Sequence, residues 1–270
     1  MLPTPCTSHV SFDTIYEPSE DSYLFLDTLS SESESTWLSH RFNSPFNTSS
    51  YDSTSTSPLV VEVGTGSGVV LGFVAANSQH IFGRRDILAL GTDVNRNACL
   101  ATRETAVKAV REQQAQASES APTAKTPYIA SIMSDLCTPL RPGSVDVLLF
   151  NPPYVPSEEV PLLPTVTEQE DEKDLSRSAK FEQDSYFLSL TYAGGVDGME
   201  TTDRLLEAIP GILDPVRGVA YVLLCKQNRP EEVKERIQGW GNGWKAETVG
   251  NSGKQAGWEK LVILRIWRGE

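Results

Sequence analysis

Val145-Asp146-Val147-Leu148-Leu149-Phe150-Asn151-Pro152-Pro153-Tyr154 frames the reading of the whole chain. The residues up to Phe150 form a short apolar run that reads as a buried strand. Two prolines then stop it. They lack N–H donors and fix φ, so a rigid turn follows. The turn presents the Asn151 carboxamide, the Pro152 carbonyl and the Tyr154 ring. That set suits a planar amino group: two acceptors take its hydrogens and the ring packs on its plane. An ordinary Asn-Pro turn can carry the same tetrapeptide, so the surroundings have to separate the two readings.

Upstream, Pro58 to Val63 reads as a strand that includes Glu62, Gly64-Thr65-Gly66-Ser67-Gly68 as a loop, and Val69 to Ala76 as a helix. A strand feeding a glycine loop and a helix is a nucleotide-binding arrangement, because glycines allow close backbone approach and φ > 0. The spacing is not the G-x-G-x-x-G dinucleotide fingerprint. Ile87 to Asp93 is a second strand ending in a carboxylate, which can accept from both ribose hydroxyls. A strand-terminal Asp can equally cap the next helix. Asn95 is available for that task, which frees Asp93. A helix from about Asn97 to Gln114 follows. Tyr128 to Met133 is a third strand, ending at Ser134-Asp135-Leu136. There Asp135 can accept from an adenine amino group and Leu136 can cover the ring, or Asp135 is simply a loop acid.

Residues 1–16 read as an extended arm, and Ser19 as the N-cap of a first helix with Glu20 and Asp21 in its first turn. Tyr23, Leu26 and Leu29 are its expected apolar face, and residues 1–30 form one unit. Residues 31–57, rich in Ser, Thr, Asn and Asp, are expected to be a mobile insertion before a main domain at 58–270. Residues 113–126 read as an Ala/Ser/Gln-rich linker, and the acidic, Pro-rich stretch 155–183 as a long loop, either a lid or plain flexible chain. A Gly-rich turn at 191–200 precedes a helix over 202–213. Gly218 to Cys225 is a fifth strand, and Pro230 opens a helix to about Gln238. Trp244–Val249 and Leu261–Trp267, with no helix between them, are expected to form an antiparallel hairpin.

The formal net charge of the 270 residues is -13, which disfavours non-specific binding to phosphate backbones. Four scattered cysteines with no C-x-x-C pair argue against a zinc site in this chain; Cys99 and Cys225 sit in apolar contexts and read as buried thiols. Pro3 and Pro5 follow Met1 where a signal peptide would be apolar, and no apolar run approaches a membrane span. A soluble protein of the cytoplasm or the nucleus is expected.

The alternation of strands and helices predicts an α/β fold with helices on both faces of a mostly parallel sheet. Ligands of such sheets bind outside the carboxyl ends of the strands. Glu62 to Gly68, Asp93, Asp135 and Asn151 all fall at those ends, and this co-location outweighs any single motif.

Taken together, these features resemble the seven-stranded, Rossmann-like S-adenosylmethionine-dependent methyltransferases. Asn-Pro-Pro-Tyr is the amino-methylating signature of that superfamily, used on adenine N6, cytosine N4 and protein glutamine. Four segments in order, Tyr16-Glu17-Pro18-Ser19-Glu20-Asp21, Glu62 to Gly68, Phe150 to Val155 and Ala193-Gly194-Gly195-Val196-Asp197-Gly198, resemble the HemK-like release-factor glutamine methyltransferases, in particular their eukaryotic catalytic subunits. The polar tract, the linker and the acidic loop look like insertions in that family.

The resemblance implies roles. Ser22 and the segment before it would close over the methionine end of S-adenosylmethionine, and Glu62, Gly64, Thr65 and Gly66 would line its loop. Asp93 would hold the ribose, and Asp135 with Leu136 the adenine. Asn151 would border both cofactor and substrate, with Asn151, Pro152 and Tyr154 catalytic and Pro153 completing the substrate-binding turn. The substrate would be the glutamine of the Gly-Gly-Gln loop of a translation termination factor. A small zinc-binding activator would pair with the apolar edge strand Tyr128–Met133. Beside this reading stand a non-catalytic binding module, disfavoured because no signature position is degraded, and three enzyme rivals. The enzymes are a protein lysine methyltransferase, an adenine N6-methyltransferase acting on nucleic acid, and a dinucleotide-dependent oxidoreductase that would leave the Asn151 turn idle.

Overall fold

β4 (Val147–Phe150) runs through the middle of the protein, and all four of its residues are buried. β1 (Leu59–Val63) flanks it on one side and β5 (Val219–Cys225) on the other, both parallel to it. β2 (Leu88–Asp93) and β3 (Tyr128–Met133) continue in parallel beyond β1. β7 (Leu261–Arg268) and β6 (Trp244–Asn251) continue beyond β5 as an antiparallel pair. The order is β3-β2-β1-β4-β5-β7-β6, a single seven-stranded sheet in a computed structural model that describes residues 2–43, 56–116, 128–164, 176–253 and 260–269.

Side chains alternate along each strand, so the central strands feed two cores. Val60, Val147, Leu149, Tyr221 and Leu223 pack with α1 (Glu20–Ser30), α2 (Glu32–Asn43) and α3 (Val69–Ala76). α4 (Ser78–Phe82) and α5 (Arg96–Gln116) cover the same face. Val61, Leu148, Ala220, Val222 and Leu224 face α7 (Glu200–Ile212) and α8 (Pro230–Gln238). The direction of chain travel across the sheet reverses between β1 and β4, which opens a crevice at their carboxyl ends. Cys99 and Cys225 are buried, and so is Cys137.

Three expectations need correction. Residues 32–43, expected within an insertion, form α2. Leu38 and Phe42 enter the core, and the buried Glu34 bonds Arg265 Nη1 at 2.8 Å and Tyr221 OH at 2.8 Å. The partners lie 231 and 187 positions away, so the polar composition hid a docked helix. The mobility expected between Asn47 and Ser57 concerns residues that, up to 55, lie outside those described. Likewise α5 continues to Gln116, and 117–126 of the expected linker are outside the described residues.

The second correction lies in the acidic stretch. A helix, α6 (Arg177–Tyr192), begins inside the expected loop, and the Ser176 side chain accepts from Ala179 N at its start. A serine cap placed before a run with few apolar anchors was the signal for it. The third concerns α1. Phe25, Leu26 and Leu29 are buried, while Tyr23 is 45% exposed. Ser19 occupies the N-cap position but makes no cap bond; its hydroxyl donates to Asp21 Oδ1 at 3.0 Å instead.

Candidate active site

One cavity of about 590 Å³ opens at the carboxyl ends of β1, β2 and β4. Ser22, Glu62, Gly64, Thr65, Gly66, Asp93, Asp135, Leu136, Asn151, Pro152, Pro153 and Tyr154 all line it. Residues spread over 133 positions of sequence therefore converge on one volume, because parallel strands deliver their carboxyl ends to the same edge.

The glycine loop is folded by its own constraints. Gly64 N donates to Thr92 O at 2.8 Å, tying the end of β1 to β2. Gly68 has φ +75 at the start of α3, and a Cβ there would strike the Thr102 backbone on α5. Only glycine allows the loop to pass so close to that helix. Glu62 is buried, and its Oε2 accepts from Leu71 N at 2.9 Å. Burial pushes its carboxyl well above the ordinary range, opposed by that N–H and reinforced by Asp93.

Asp93 accepts from Gly66 N at 3.0 Å and from Asn95 N at 2.8 Å. Burial raises its pKa, with those two N–H groups and that of Val94 working against the rise. Asn95 does take the capping position, its Oδ1 accepting from Asn97 N at 2.9 Å. With three N–H groups on its two oxygens, the Asp93 carboxylate keeps acceptor capacity for a ligand hydroxyl. Asp135 is less free than the sequence suggests: Arg204 from α7 donates to its Oδ2. Leu136 takes φ +48 beside it.

Asn151 holds the decisive geometry. Its Nδ2 donates to Asp21 Oδ2 at 3.1 Å. Its Oδ1 is buried in the cavity wall and finds no partner among the described residues. An orphaned buried acceptor costs about 1–3 kcal/mol unless something arrives to use it. Thr65 Oγ1 is a second orphaned polar atom on the same cavity.

Sequence reasoning missed several walls of this cavity. Thr14 and Ile15 come from the N-terminal arm, Val160 to Leu163 from the segment after the proline turn, and Arg204 from α7. None stands in a recognisable motif. Asp21 was legible only as a first-turn helix acid. It is 3% exposed, and its contact with Asn151 spans 130 positions.

No protein-family model matches the chain. Mouse methyltransferase HEMK2 is 31% identical over 278 aligned residues, covering 98% of this chain and 96% of the relative. The chain belongs to the HEMK2 methyltransferase family. The fission yeast eRF1 methyltransferase catalytic subunit mtq2 is 29% identical, with 99% of this chain and 96% of that relative covered. Among solved structures, the E. cuniculi Mtq2–Trm112 complex, which methylates the eRF1 termination factor, matches with a TM-score of 0.51 and 20% identity. The match covers 95% of this chain and 99% of that one, and it supports the same seven-stranded fold. Membership in the HEMK2 family makes this cavity the candidate centre for methyl transfer.

Proposed function

We propose that the chain methylates the side-chain nitrogen N5 of the glutamine in the Gly-Gly-Gln loop of a translation termination factor, using S-adenosylmethionine. The observation that carries this reading is the orphaned Asn151 Oδ1, held in the cavity by Asp21 and placed at the start of the proline turn. The relatives named above are methyltransferases, and one is named for eRF1. A net charge of -13 weighs against a nucleic-acid adenine as substrate.

The residues present fit the cofactor. The cavity lies in the size range of small-molecule sites, about 300–1,000 Å³. Asp93 would hold the ribose hydroxyls, Leu136 would cover the adenine, and the Asp135 oxygen not used by Arg204 would accept from its amino group. Glu62, Gly64, Thr65 and Gly66 would line its path, and Ser22 would close its methionine end. When bound, S-adenosylmethionine supplies an electrophilic methyl group.

The chain's own residues do the rest. An amide nitrogen is a poor nucleophile because its lone pair is delocalised. Asn151 Oδ1 and the Pro152 carbonyl accept its two hydrogens, hold it in line and stabilise the positive charge that develops on nitrogen. Tyr154, 9% exposed at the cavity wall, packs against the amide plane. The proton leaves to water after transfer, so no strong base is required.

A small activator subunit would complete the enzyme by pairing with β3, an edge of the sheet. Ile132 is 39% exposed and Met133 36%, an apolar edge that invites strand addition or aggregation. Expressed alone the chain should aggregate; a monodisperse lone chain would contradict this arrangement.

The substrate reading is tested with labelled cofactor, the co-purified pair, and a termination factor carrying either Gln or Ala in its Gly-Gly-Gln loop. Label on the Gln protein alone is the expected result. Equal labelling of both proteins would overturn it. Asn151→Ala should lower kcat by about 10²–10³-fold, as loss of one preorganised transition-state contact does.

A further inference from the structure

Asn228 lies outside the cavity yet holds the turn that forms its reactive wall. It ends a short 3-10 turn, Lys226–Asn228, directly after β5. Because β5 neighbours β4, this turn sits beside the exit of Asn151-Pro152-Pro153-Tyr154. Asn228 is 2% exposed, and both ends of its amide are engaged. Oδ1 accepts from Cys225 N at 2.7 Å. Nδ2 donates to Tyr154 O at 3.2 Å and to Asp197 O at 2.9 Å. One side chain thus joins the end of β5, the exit of the proline turn and the glycine turn at 194–198.

The glycine turn is shaped to allow that junction. Gly198 has φ +69, and a Cβ there would collide with the Tyr154 carbonyl. A Cβ on Gly194 would collide with the Pro153 carbonyl. Gly194 N donates to Val155 O at 2.8 Å, and Val155 N to Tyr192 O at 3.0 Å, so the two turns are also laced together by backbone. Neither Pro152 nor Pro153 can donate a hydrogen bond of its own. The proline turn is therefore stiff internally but must be aimed from its exit, at Tyr154 and Val155.

We propose that Asn228 is a positioning residue for methyl transfer: by clamping the Tyr154 carbonyl against the 194–198 glycine turn, it aims the Pro152 carbonyl and the Asn151 carboxamide at the substrate nitrogen. This rests on the reading of that turn as the amino-methylating site. It also gives a task to the Ala193–Gly198 motif, which lies beyond the reacting atoms.

Asn228→Asp is the informative variant. It keeps the acceptor for Cys225 N and sets a carboxylate oxygen against the Tyr154 and Asp197 carbonyls in place of the donor. In the full chain purified with its activator, amide hydrogen exchange in segments 154–157 and 194–199 should quicken, while the 64–70 loop keeps its rate. S-adenosylhomocysteine affinity should hold, and kcat on the termination factor should fall about 10- to 100-fold with little change in KM, as misplacement at a distance from the chemistry does. Gly198→Ala, whose Cβ would strike both the Tyr154 carbonyl and Asn228 Nδ2, should reproduce the loss, and retained S-adenosylhomocysteine affinity excludes a folding defect in either variant. Unchanged exchange at 154–157, or faster exchange with kcat intact, would overturn the proposal. A wild-type protein that labels no glutamine would instead overturn the substrate reading, and the exchange comparison would still decide the role of Asn228.

Discussion

Asn151 Nδ2 donates to Asp21 Oδ2 at 3.1 Å, linking the proline turn after β4 to the first turn of α1. An amide has one donor end and one acceptor end, so this contact decides which end faces the cavity. Asp21 is itself held, its Oδ1 accepting from Ser22 N at 2.6 Å and from Ser19 Oγ at 3.0 Å. The N-terminal segment thereby becomes part of the reactive geometry.

Asp21→Ala should accordingly lower kcat by about 10–100-fold, the equivalent of losing one charge-assisted hydrogen bond of about 1.5–3 kcal/mol. Steady-state kinetics of the purified pair check it. A defect confined to KM would show that Asp21 helps only to bind.

Glu62 predicts a pH effect on the ligand-free protein. Its carboxyl lies well above the ordinary 4.5, chiefly through burial. The folded state then holds the proton more tightly than the unfolded one. The stability this contributes is full below the unfolded value and is lost as pH rises through the folded pKa. Glu62→Gln keeps an acceptor for Leu71 N and removes the titration. Its Tm advantage over wild type should grow as pH rises above 4.5. An advantage that shrinks over the same range would refute this.

The Arg204–Asp135 pair separates stability from binding. Their side chains are 49% and 28% exposed, so solvent screens the pair, and Arg204→Ala should change stability by no more than about 1 kcal/mol. Asp135→Ala should weaken S-adenosylhomocysteine about fivefold by calorimetry, the effect of one hydrogen bond worth about 1 kcal/mol. Unaltered affinity would remove Asp135 from the adenine site.

α2 offers a test of the fold itself. Glu34 binds Arg265, whose guanidinium lies 4.2 Å from the Trp37 ring centroid and 4.7 Å from that of Trp267. Glu34→Ala removes one of the two carboxylates on Arg265, leaving Glu247 Oε2 at 2.8 Å from Nη2, and strips the buried Tyr221 hydroxyl of its acceptor. It should cost about 1–3 kcal/mol in urea unfolding. A loss under about 1 kcal/mol would mean that water reaches Arg265.

Much of the site was legible because its signals are local. Gly64 to Gly68 and Asn151 to Tyr154 carry backbone constraints that no neighbour has to supply. Asp93 was legible as a strand-end carboxylate, and Asn95 as the cap that takes over the helix start. α2 and the start of α6 were not, because both segments have the polar composition of loops. The burial of Glu34 depends on an arginine far along the chain, and α6 buries only Phe187.

The sequence alone determined the seven strands, the glycine loop and the proline turn, since strand periodicity, glycine freedom and proline rigidity are properties of a few adjacent residues. Only the tertiary structure decided that Asp21 holds Asn151, that Arg204 takes one oxygen of Asp135, and that Asn228 clamps Tyr154. Those pairings join segments that meet because β1, β4 and β5 lie side by side at the centre of the sheet. Strand order is settled by packing over the whole chain, so no local pattern of residues encodes which distant side chains will meet at the strand ends.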